Sequence, residues 1–170
     1  TVLKQGWGVE PLTEGQAACV STMSYNEYWV VRDAGYSPEE LTVFKYQAEG
    51  AATLEDGLYV HEKNMSDPVF KDKMVRFVRA SMKGWEYAEE NPKEAAMIIL
   101  DNDDAGVQTE KHQVRMMGEV AKLTAGSNGS LDPADYERTV KVLMSGASDP
   151  VITKKPSGAW TNEITNAALK

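Results

Sequence analysis

The chain is poor in the residues that staple, span or neutralise. Cys19 is its one cysteine, so an internal disulfide is excluded; many exported bacterial proteins also lack one, and the compartment is not fixed by this. No apolar stretch approaches the ~20 residues a membrane helix needs, and the longest is Ala-Ala-Met-Ile-Ile-Leu at 95–100. Basic residues are outnumbered, 18 Lys and Arg against 26 Asp and Glu, for a net charge of −8 and a pI near 4.8. That balance argues against nucleic acid, whose affinity rests on cations neutralising phosphates, and against docking on anionic lipid. His61 and His112 lie far apart without neighbours at zinc spacing, so no metal is expected. Asp101 to Gly106 imitates the start of a calcium loop, yet Ala105 and His112 stand where an oxygen ligand and a glutamate are required. A Gly-rich phosphate loop, a G-x-S-x-G elbow and a Cys–His pair are all missing. No catalytic residue and no cofactor is therefore expected.

What remains is the composition of a globular protein, 42% apolar and 26% charged, at a length that one domain could fill. The chain opens on Thr1-Val2-Leu3 rather than an initiator Met, which suggests a processed product or a fragment. Its first part alternates between elements. Short strands are expected at 1–5, 17–23 and 41–46, with helices at 9–15 and 26–34 and a further turn at Ser37-Pro38-Glu39-Glu40. Gly15 and Gly35 end the two helices. Cys19 falls in the second strand and is expected to be packed. Residues 47–56 are small, polar and acidic, as in a crossing between lobes, and 58–60 gives one more short strand.

The remainder is helical. Asp67-Pro68 precedes an apolar stripe from Val69 through Trp85, with Trp85 inward and Tyr87 on the flank. Asn91-Pro92 repeats the device before Ala95 and Ala96. A third helix spans 110–123 with Val114, Met117, Val120 and Leu123 inward. Asp132-Pro133 starts a fourth, and Thr161 or Asn162 caps a last one; 126–130 and 145–158 are loops. Alternating strands and helices give an expected α/β class with a parallel sheet. The lone strand at 58–60 cannot make a second sheet by itself, so a completing segment or partner chain is expected.

The most informative stretch is Ser24-Tyr25-Asn26-Glu27, where an apolar run stops and a helical pattern starts. Open parallel sheets hold ligands at such a junction, because free N–H groups and the positive helix end converge there. An aromatic ring, an amide and a carboxylate suit a flat ligand bearing N–H donors. Ser24-x-x-Glu27 also fits a capping box, whose side chains satisfy only orphan backbone N–H groups, and the two readings are compatible. Trp7 and Trp29, near expected strand ends, could stack on a ligand or pack.

Several motifs carry a resemblance. They are Gly6-x-Gly8-Val9-Glu10-Pro11-Leu12 through Gly15-Gln16, then Met23 through Tyr28, then Asp33-Ala34-Gly35-Tyr36. With Glu55 through Val60 and Phe77 through Ala88, continuing to Asn91-Pro92, the chain resembles the ABC-transporter substrate-binding proteins. The similar branch binds thiamine pyrimidine precursors, beside nitrate, sulfonate and taurine relatives. The resemblance implies part of a two-lobed periplasmic-binding-protein (type II) fold, incomplete without an N-terminal half or a partner chain. Residues 1–48 would be the closing part of the second lobe, 49–60 the hinge crossing and return strand, and 61–170 the helical part of the first lobe. It implies a periplasmic or extracytoplasmic location, a small-molecule ligand and a membrane permease as partner. Ser24, Tyr25, Asn26 and Glu27 would line the cleft, with Glu49 and Glu55 near the hinge. A carboxylate there would repel nitrate or sulfonate and favour an aminopyrimidine-like ligand. Two alternatives stand beside this. One is a pyrimidine-synthesising enzyme on the same scaffold, whose Cys-rich iron-binding segment this chain lacks. The other is a non-transport ligand sensor.

Overall fold

Helix starts in this chain are written locally, and the computed structural model, which describes residues 2–145 and 149–170, begins helices at Pro68, Pro92 and Pro133 as their X-Pro signals imply, although Asn91 and Asn162 make no side-chain cap bond. Thr1, expected in the first strand, and residues 146–148, expected in a loop, lie outside the described residues. Helix α1 is Glu10–Thr13 and α2 is Glu27–Asp33, closed by Gly15 and Gly35 at φ values of 72° and 108° that suit glycine alone. Pro38–Glu40 forms a 3-10 turn with a true capping box between Ser37 and Glu40, and Glu62–Ser66 forms a second. Helix α3 spans Pro68–Glu90, its Val69 N–H accepted by the Asp67 carboxylate. Helix α4 is Pro92–Asp101, α5 Glu110–Thr124, α6 Pro133–Met144 and α7 Glu163–Ala168. Thr109 caps α5 by accepting from the His112 N–H, and Asp132 caps α6 by accepting from Ala134.

The expected α/β class, and with it the two-lobed type II binding-protein fold, is corrected: among the described residues there is no strand and no sheet. Residues 2–5, 17–23, 41–45 and 58–60 run without a backbone ladder. A strand is stable only when a neighbour completes its N–H and C=O pairing, and here none lies alongside. One side chain substitutes for a single step of such a ladder. The Gln5 amide donates to the Ser21 carbonyl and accepts from the Ser21 N–H, both at 2.8 Å. Without a sheet the apolar residues of these segments are uncovered, among them Leu58 and Tyr59, the latter 82% exposed. Cys19, expected to be packed, is exposed for the same reason.

The chain divides into two units. The first holds 1–42 and 85–126. Its core is the packing of α4 on α5, where Ala95 and Ala96 meet Met117, flanked by Ala88 and Val114. Ala96 is fully buried, and its small side chain lets the two helices approach closely. The inward set expected on α5 holds for Val114, Met117 and Val120 but not for Leu123, which is exposed. Trp85, expected in the core, is also corrected: it is 44% exposed.

The second unit holds 43–84 and 127–170. Side-chain bonds to backbone carry much of its cohesion. Arg138 donates to the Ala52 carbonyl at 3.0 Å, and the Leu54 N–H donates to Thr139 Oγ1 at 2.9 Å. The Arg79 guanidinium donates to the carbonyls of Ala167 and Ala168, satisfying the open C-terminus of α7. Asn162 pairs with the Leu131 peptide in both directions at 3.0 Å, again as one step of a ladder. A shallow groove of about 610 Å³ lies along α3, lined by Leu58, Tyr59, Val60, Phe70, Met74 and Phe77 with His61 and Asn64.

Candidate functional site

Ser24, Tyr25, Asn26 and Glu27 share one turn in the first unit, as the sequence implies, but the element before it is irregular backbone and not a buried strand. The chain reverses there because the Met23 carbonyl accepts from the N–H groups of both Asn26 and Tyr28, each at 3.2 Å. Helix α2 then begins at Glu27, too late for Ser24 to act as its N-cap. Glu27 instead turns its carboxylate back on the chain. Its Oε2 accepts the Met23 N–H at 2.8 Å, and its Oε1 accepts from Asn26 Nδ2 at 3.0 Å. An ionised carboxylate has about four lone-pair directions, so two acceptor sites are left on Glu27 after these bonds. Tyr25, Asn26 and Glu27 are half-buried.

A second helix meets this turn. His112, in the first turn of α5, lies with Nε2 at 2.8 Å from Asn26 Oδ1. Neighbouring residues of α5 grip the far end of α2. Lys111 and Arg115 each reach Asp33 at 3.0 Å, one on either carboxylate oxygen. Arg115 also lies over the Trp29 ring, 4.9 Å from its centroid, and Tyr28 meets Trp29 edge-on. Trp29 is therefore a packing residue of this clamp, and Trp7 is 99% exposed. The hydrogen bonds from Lys111 and then Arg115 hold the Asp33 carboxyl below its ordinary range.

Glu49 and Glu55 belong to the second unit, both exposed on irregular chain. Among the described residues no three of His, Cys, Asp and Glu gather closely enough to hold a metal ion. Asp103 folds its loop by accepting from the Gly106 and Gln108 N–H groups. No helix among the described residues is long and apolar enough to cross a membrane.

Sequence reasoning weighed His112 only as a metal ligand and missed its place beside Asn26. No local signal marks it, because the two residues are 86 apart in sequence.

Comparison with known proteins bears on this geometry. A formylaminopyrimidine-binding protein of Halalkalibacterium halodurans is 25% identical over 143 residues, covering 78% of this chain. The chain spans 41% of the length of that relative. No solved structure matches this chain. Residues 1–95 match the family described as NMT1/THI5 like, a stretch that includes the whole Ser24–Glu27 turn. With more than half of its 170 residues matched, the chain belongs to the NMT1/THI5-like family.

Proposed function

We propose that this chain carries the ligand turn of a solute-binding receptor for ABC import. It would take a small, planar, N–H-rich molecule such as a thiamine pyrimidine precursor. The observation that carries this reading is the Glu27 carboxylate, fixed by Met23 and Asn26 yet keeping two acceptor sites, within the family-matched segment. Ring nitrogens and exocyclic amino groups are the donors such a carboxylate recognises, in charge-assisted bonds stronger than neutral ones. Tyr25 supplies an aromatic face, and the second N–H of Asn26 a donor. The name of the relative points to the same ligand class and to binding rather than catalysis. In this reading residues 49–60 link the segment bearing the turn to the helical remainder, a membrane permease is the downstream partner, and the working location is extracytoplasmic.

Isothermal titration of the chain with a formylaminopyrimidine tests this. Saturable binding is expected, weakened by Glu27→Gln by about tenfold or more, the scale of one charge-assisted hydrogen bond. Nitrate should not compete. Glu49→Gln and Glu55→Gln, run alongside, show whether those exposed acids contribute. Equal affinity in wild type and Glu27→Gln overturns the assignment.

A further inference from the structure

We propose that His112 is a positioning residue for the ligand turn: its Nε2–H locks the Asn26 amide, and through it the Glu27 carboxylate, in the orientation that offers acceptors to a ligand. This rests on the reading of Ser24–Glu27 as the ligand turn. The polarity of the chain of bonds follows from its charged end. An ionised Glu27 can only accept, so the Asn26 atom at 3.0 Å from Oε1 is the donating Nδ2. Asn26 Oδ1 then faces the imidazole at 2.8 Å and also only accepts, so His112 Nε2 carries the proton. Turned over, the amide would set Oδ1 against a carboxylate oxygen, two acceptors in repulsion. The neutral Nε2–H tautomer and the imidazolium both donate, so the lock holds in either protonation state.

The backbone that carries the ring is in turn held from outside the turn. Lys111 and Arg115 anchor the same face of α5 to Asp33, and the Thr109 cap fixes the first turn of α5 through the backbone N–H of His112. That cap survives any substitution of the His112 side chain. His112 lies beyond residue 95, outside the family-matched segment.

Nitrogen-15 NMR of the full chain tests the proposal without a ligand. The ring nitrogens of His112 should show protonation at Nε2, and the Asn26 side-chain NH2 protons should exchange slowly. His112→Gln keeps an N–H at similar reach and should preserve that protection. His112→Leu should lose it by about threefold to tenfold, the worth of one neutral hydrogen bond, and should weaken formylaminopyrimidine binding to the same degree. His112→Phe keeps a ring but has no donor, and it serves if His112→Leu loses helicity. A bare Nε2, or identical behaviour of the Gln and Leu variants, overturns the proposal. If the wild type takes up no formylaminopyrimidine, the ligand-turn reading fails, while the Asn26 signals still decide whether His112 fixes the amide.

Discussion

Asp33 ends α2, where a carboxylate meets the negative end of a helix dipole, and two cations from α5 keep it charged there. Its folded pKa is lowered from 3.8, so its contribution to stability is complete above that value and is lost as pH falls through the depressed one. Glu40, held by the Ser37 N–H, has the same sign. We expect Asp33→Asn to flatten the acid limb below pH 3.8 in a circular-dichroism titration while leaving the Glu40 part in place. An unchanged acid limb would show that the clamp contributes nothing. Legibility at this scale was uneven. Tyr25, Asn26 and Glu27 could be singled out because their chemistry is packed into consecutive positions. The His112–Asn26 contact joins residues 86 apart, and nothing local in the sequence points from one to the other.

Among elements, the helices were legible and the strands were not, for one physical reason. A helix closes its hydrogen bonds within itself, so Asp67-Pro68, Asn91-Pro92 and Asp132-Pro133 mark starts that can be read from the chain alone. A strand depends on what lies beside it. The apolar runs at 17–23 and 41–46 have strand character and no partner, so they stay irregular. Where such segments are held, a side-chain amide does the holding. The Asn162 pair with Leu131 is half-buried, and removing it strands one N–H and one C=O. Asn162→Ala should therefore cost about 1–2 kcal/mol in urea denaturation. A cost near zero would mean that water replaces the amide freely.

At the scale of the whole molecule, exposure is the dominant fact. The chain presents 12578 Å² to solvent. A folded monomer of 18.7 kDa is expected to present about 8,300 Å². Exposed apolar side chains include Trp7, Phe44, Tyr59, Val107 and Val151. Uncovered apolar area attracts flat ligands unselectively, and the groove lined by Leu58, Tyr59, Phe70 and Phe77 is the obvious competitor to the Ser24–Glu27 turn. Affinity alone does not separate the two, because a stacked ring in the groove and a hydrogen-bonded ring at the turn could bind equally well. Position does. Chemical-shift mapping of the chain during titration with a formylaminopyrimidine should move Ser24, Tyr25, Asn26, Glu27 and His112 most, along one saturable curve. Saturable shifts confined to residues 58–77, or none at all, would contradict the account.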